Sequence, residues 1–283
     1  MRTTKWILLL LIGWSASAAS GPVEDAVAAY KQGDTDKLVD LLVDKDAPDL
    51  AGVSRIQLAA QQGKAEAQGL LGIFYLAGYG VPKDSKKYFF WNRKAAENGS
   101  APAQHSLGLS YTNGDKDYGI EKDYQKAYQW NLKAADQGYA PAQDSVGLMH
   151  RAGWGVPQDY KKALFWYRKA ADQGYASGQS SLGLMYREGW GVPKNDQEAY
   201  FWYRKAAGQG DKYAQSSLGS LLNDLGNYQE AYFWTLLARA NGIYYGHVSD
   251  VVLASLEQKL TPAQRAAAQA QARDWKPTPT TRP

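Results

Sequence analysis

His105, His150 and His247 are the chain's three histidines, and cysteine is absent. Histidine is the side chain whose charge changes near neutral pH, so general acid–base work would fall to these three. They lie far apart in sequence, and no His pair stands at helical spacing. No HExxH occurs and no cysteine is present, so the sequence shows no metal-site motif. A nucleophile needs a base and an orienting group within reach. Ser180, Ser181, Ser216 and Ser217 form two pairs, while Asp144 and Ser145 hold the matching places upstream. No GxSxG elbow carries any of them. The residue types therefore point to no catalytic residue, no metal and no cofactor. They point instead to recognition by arginine, tyrosine and tryptophan.

These residues recur in register. A glutamine follows a small residue at Gln68, Gln104, Gln143, Gln179 and Gln215. Around each stands one unit: AxAQxxLGxxY, then GxGV, then DYxKAxxWyxKAAxxG. Such a period is the mark of a stacked-repeat architecture. Five units span 63–242, and each predicts two helices. In the third unit Ala142, Val146 and His150 share one helix face over about Ala140 to Ala152. The second helix begins near Asp159, or near Asp196 one unit on, where an acidic residue suits the helix start. Ala163, Trp166, Tyr167, Ala170 and Ala171 form its apolar stripe. A helix-interior glycine such as Gly147 or Gly183 costs about 1 kcal/mol against alanine, so close packing of the second helix is the expected reason for it. One pair cannot bury its own stripe; stacked pairs bury it against each other.

The flanks differ in composition. Residues 1–18 read as a signal peptide: Arg2 and Lys5, the apolar run ILLLLIG, then Ala16-Ser17-Ala18 as a cleavage site. The apolar run is too short for a membrane span; an uncleaved anchor is the alternative. Residues 23–62 predict N-terminal capping helices: a degenerate pair from Val23 to Val43, then a helix over Val53–Gln62. Residues 243–275 predict C-terminal capping helices, with Thr261-Pro262 as a helix start. Residues 276–283, KPTPTTRP, have the composition of a disordered tail. Without Arg2 and Lys5 the 32 basic and 28 acidic residues leave a balance near +2. That is too weak to point to nucleic acid. Secretion without disulfides implies a soluble periplasmic protein without stable membrane insertion.

The unit resembles the Sel-one-like repeat family, a branch of the tetratricopeptide-type helical solenoids. In the third unit the matching residues are Ala140-Pro-Ala-Gln143, Val146-Gly147, Gly153-Trp-Gly-Val156, Asp159-Tyr160, Lys162-Ala163, Trp166 and Lys169-Ala170-Ala171. The likeness covers about two thirds of the chain. Two departures stand out: three extra residues between Gly114 and Tyr124, and a fifth unit with only LGNY in its loop. The resemblance implies an all-α fold, an α/α superhelical solenoid of about five helix pairs, with the first helices on its concave side. It also implies roles for related proteins in the bacterial envelope: scaffolds, restrainers of envelope enzymes, and immunity proteins against phospholipase-type toxins. A cysteine-rich group linked to β-lactam binding is not matched, because its cysteine pairs are missing here.

Candidate partner-binding residues follow from what the packing stripes leave over. On the first helices these are His105, Asp144, Arg151 and Arg187, with Glu188 beside the last. Resemblance to tetratricopeptide-type solenoids turns them toward the groove. Tyr79, Trp154 and Trp190 each stand between two loop glycines. Their rings either line one edge as binding anchors or fold onto a neighbouring unit and cover core. The function expected is non-catalytic protein binding in the periplasm, restraining a secreted toxin or an envelope enzyme. A scaffold of an envelope complex is the alternative, and a cell-wall enzyme comes third.

Overall fold

The computed structural model describes residues 22–33, 37, 49–242 and 247–278. The expected signal peptide, most of the segment Thr35–Val43 and the tail beyond Thr278 lie outside these residues. Fourteen α-helices and no extended strand occur among them. Within the repeats, first and second helices alternate and each runs 13 residues. The chain divides into two compact units, Met1–Ala103 and Gln104–Pro283.

The first unit holds α1 (Pro22–Gln32), α2 (Leu50–Gln61), α3 (Ala65–Ala77), α4 (Ser85–Glu97) and the opening residues of α5 (Ala101–Asn113). α1, α2 and α3 share a core of Ala26, Tyr30, Val53, Ile56, Leu70 and Phe74. The repeat proper begins at α3, and α4 closes against it.

The second unit continues α5 and adds α6 (Tyr124–Asp136), α7 (Ala140–Ala152), α8 (Tyr160–Asp172), α9 (Ala176–Glu188), α10 (Asp196–Gly208), α11 (Lys212–Asp224) and α12 (Tyr228–Ala240). It ends with α13 (His247–Lys259) and α14 (Pro262–Asp274). α7 to α12 pack as successive hairpins, each helix against its neighbours in sequence. Leu253, Leu256, Leu260 and Ala268 extend the last core onto α13 and α14. α14 opens on the capping box of Thr261 and Gln264.

Local chemistry explains why the elements start and stop where they do. The side chains of Asp84, Asp123 and Asp159 each accept the backbone N–H three residues on, which satisfies one of the donors a helix start leaves free. α10 begins at Asp196 as expected, and its cap is Asn195, which accepts from Gln197 and Glu198 N–H. The helix-interior glycines meet the second helix of their own pair. A Cβ on Gly147 would lie 2.7 Å from the Tyr167 ring, and one on Gly183 2.8 Å from the Tyr203 ring. The three extra residues after Gly114 close on themselves: a 3-10 turn over Lys116–Tyr118 and a bridge in which Asp115 and Ile120 exchange N–H···O bonds at 2.7 and 2.8 Å. In the short fifth pair, Leu225–Asn227 alone joins α11 to α12.

Within the second unit a polar ladder ties successive pairs together. Gln143, Gln179 and Gln215 are buried, and each donates to a carbonyl near the end of the preceding second helix: Ala135, Ala171 and Ala207 respectively. Each also accepts from the amide that ends its own second helix: Gln173, Gln209 and Asn241. In the first unit Gln68 repeats this with Ala60 O and Asn98. These carbonyls already accept the N–H of the glycine that ends each helix, Gly138, Gly174 and Gly210. The recurring glutamine adds a second, side-chain donor that links one pair to the next.

Candidate partner-binding face

In the second unit the first helices α7, α9 and α11 lie side by side, and their polar side chains reach across from one to the next. The Asp144 carboxylate on α7 accepts from Ser177 Oγ at 2.6 Å and Ser181 Oγ at 3.0 Å, both on α9. Burial pushes this carboxyl above the usual range, and the two serine hydroxyls draw it partly back. Arg187 on α9 spans to α11. It donates to Ser217 O at 3.4 Å, Ser220 Oγ at 3.1 Å and Asp224 Oδ2 at 2.8 Å. Its side chain is nonetheless 22% exposed. Arg151 on α7 donates Nε to Tyr167 OH at 3.3 Å, and its guanidinium carbon sits 5.6 Å from the Trp190 ring centre. Two arginines one repeat apart are thus held in fixed directions.

The loop aromatics are staples between repeats. Trp154 stacks on Tyr124, the first residue of the preceding second helix, with ring centres 5.1 Å apart and planes 14° apart. Trp190 does the same on Tyr160 at 5.4 Å and 10°. The glycine after each Trp makes the approach possible: a Cβ on Gly155 would collide with the Tyr124 carbonyl, and one on Gly191 with that of Tyr160. Tyr79, in the first unit, is only 5% exposed. It packs on Phe74, and its OH accepts the Asp49 N–H at 3.1 Å. The expectation of Tyr79 as a free anchor is corrected by that burial. Trp154 and Trp190 keep half-exposed edges, but one face of each is taken.

His105 is half-buried; its Nδ1 lies 2.7 Å from Asn131 Oδ1 and its ring packs near Tyr139. Burial lowers its pKa, against the opposing effect of Asn131. His150 is buried beneath Tyr128, with Nε2 3.4 Å from the phenol oxygen. Glu188 is exposed at the end of α9. Of the expected residues, Arg151 and Trp190 come together, with Asp144 close enough to Arg151 to feel its charge. Tyr79 is in the other unit. Sequence reasoning missed Ser177, Ser220 and Asp224, which orient the charged groups, and had Ser181 in view only among the serines weighed as nucleophiles. It also missed Tyr124 and Tyr160, although the Asp-Tyr pair that opens both helices was in view.

Sel1 repeat segments are recognised at residues 65–100, 101–139, 140–175 and 176–211, just over half of the chain. A protective antigen present in uropathogenic Escherichia coli strains, displaying an SLR fold, is 31% identical with a TM-score of 0.70. That match covers 88% of this chain and 56% of the antigen's chain, so the present chain spans little more than half of that protein. A Sel1 repeat protein from Oxalobacter formigenes is 29% identical with a TM-score of 0.65, over 90% of this chain and 99% of the other. Sel1 repeat proteins are generally non-catalytic helical scaffolds. Among the described residues no helix is long and apolar enough to cross a membrane. With four tandem repeats matched and a fifth helix pair packed behind them, the chain belongs to the Sel1 repeat family, an all-α solenoid fold that mediates protein–protein interaction.

Proposed function

We propose that the chain is a non-catalytic periplasmic protein that binds a partner through the face of α7, α9 and α11 and restrains it, the partner being a secreted toxin or an envelope enzyme. The observation that supports this reading is the pair Arg151 and Arg187. Each guanidinium is already held by neighbours and still reaches solvent. Ordering a long side chain on binding costs about 0.5–1.5 kcal/mol. Arginines fixed in advance avoid that cost and present planar donor forks to carboxylates. Tyr213, 53% exposed, adds an aromatic surface at the start of α11. The N-terminal run of Arg2, Lys5 and ILLLLIG supports export.

The test is site-specific photocrosslinking in cells, with the reactive residue at Tyr213 or, as control, at Lys161 on α8. A partner captured from Tyr213 alone is then purified and mixed with the chain at equal molarity. Loss of the partner's activity, restored by the double variant R151E/R187E, supports restraint. Unchanged turnover with stable binding would support a scaffold instead. Capture from Lys161 alone would remove this face from consideration. Export is checked separately: the mature protein should be found in the periplasmic fraction with Ala19 as its first residue.

A further inference from the structure

The second unit holds one of its own extended segments against the end of a second helix. α14 stops at Asp274, and Trp275 leaves it in extended backbone at φ −69° and ψ 141°. The Trp275 ring meets Trp234 of α12 edge-on, centres 6.3 Å apart. Pro277 lies over Gly210, its ring carbon 3.5 Å from where a Cβ would stand. Thr278 N–H donates to Gly208 O at 2.8 Å. Three contacts therefore seat the segment: an aromatic ring on a tryptophan, a proline on a bare glycine, and a backbone N–H on a last-turn carbonyl. Helix ends leave such carbonyls in need of donors.

One repeat upstream the same three positions recur, the Trp202 ring there 6% exposed with Arg168 and Lys205 against it. Asp172 and Gly174 at the end of α8 stand where Gly208 and Gly210 stand, and Trp202 of α10 stands where Trp234 does. Nothing of the described chain lies within 4 Å of the point where a Gly174 Cβ would be. A cleft of about 730 Å³ opens there beside the strap, with Asp172, Gly174, Trp202, Lys205 and Phe233 among its walls. Extended proline-containing segments suit such aromatic-lined clefts, because they enter already ordered.

We propose that this cleft docks an extended aromatic-x-proline segment of a partner protein, seated as Trp275-Lys276-Pro277-Thr278 is seated one repeat downstream. The side chain of Asp172 favours a basic residue between the aromatic and the proline, as Lys276 is in the chain's own strap. The site is on the second helices and does not depend on the arginine face.

The probe is a fluorescein-labelled synthetic peptide, DWKPTPTT, titrated by anisotropy into the full-length protein. One saturable site is expected. Replacing either the peptide's tryptophan or its first proline with alanine should weaken binding at least tenfold. Gly174→Asn should weaken it to the same extent, since asparagine tolerates the left-handed backbone there while its side chain fills the proline seat; circular dichroism confirms that the variant is folded. Thr278→Pro, which loosens the chain's own strap, should leave affinity unchanged. A peptide that only displaces the strap would bind Thr278→Pro more tightly and ignore Gly174→Asn. That outcome, equal binding of a scrambled peptide, or no binding at all overturns the proposal.

Discussion

Two kinds of buried polar residue do different work in the repeats, and each can be perturbed on its own. Gln179 is 4% exposed; it donates to Ala171 O and accepts from Gln209. Gln179→Leu keeps the volume but leaves the Gln209 amide without its partner and takes from Ala171 O its side-chain donor, the Gly174 N–H remaining. An unsatisfied buried group costs about 1–3 kcal/mol, which at this chain length lowers Tm by roughly 2–12 °C. A differential scanning measurement with no fall in Tm would mean water replaces the lost bonds. Asp144 behaves in the opposite sense, because its carboxyl is raised in the fold from the ordinary 3.8. The folded chain then holds the proton to higher pH than the unfolded chain does. The resulting stability is fully present below 3.8 and is lost as pH rises through the raised folded value. Asp144→Asn has no proton to lose, and its amide can still pair with Ser177 and Ser181. Urea unfolding between about pH 3.5 and 7 should show the variant gaining on the parent as pH rises. A parent that gains on the variant as pH rises would show that the serines outweigh burial.

At the scale of the element, the loop between first and second helix is a joint as much as a connection. Gly155 and Gly119 both have positive φ, +72° and +67°. Alanine is strained at either, by about 1–2 kcal/mol. Only at Gly155 does the new Cβ also strike the backbone at the start of α6; at Gly119 it meets open space. Gly155→Ala should therefore lower Tm well beyond Gly119→Ala. Equal shifts would mean the repeats do not close on each other through this loop. The helices themselves were legible in the sequence. The 3.6-residue stripe of Ala163, Trp166, Tyr167 and Ala170 located α8, and Ala140 to Ala152 matched α7 in full. The glycine beside Tyr167 was legible too, as a close approach. The orientation of Trp154 and Trp190 was not. A Trp between two glycines fits a free anchor and a staple equally well, and the choice rests on Tyr124 and Tyr160, which stand 30 residues upstream. The glutamine ladder escaped notice for the same reason. Periodicity marks that a residue recurs, but its partners lie on the end of another helix.

At the scale of the whole molecule, stability is local. Among the described residues three clusters of buried side chains stand apart: one from Ala26 to Tyr79, one around Ala163 to Trp202, and one from Ala199 to Ala268. Each helix pair is braced by its neighbours, so a solenoid's stability approximates a sum of repeat and nearest-neighbour terms. A defect should then weaken its own neighbourhood and fade along the chain. Leu256 on α13 is fully buried, in the same cluster as Leu218 and Tyr232. Leu256→Ala removes apolar contacts and leaves a cavity, at a cost of about 2–5 kcal/mol. Hydrogen exchange followed by mass spectrometry resolves where that cost appears. Amides of α11, α12 and α13 should exchange faster by roughly 30-fold or more, since about 1.4 kcal/mol corresponds to tenfold. Amides of α3 in the first unit, around Leu70 and Phe74, should keep the parent's rates, because the cluster that buries them contains no residue beyond Trp91. Acceleration of equal size in α3 would show one cooperative body.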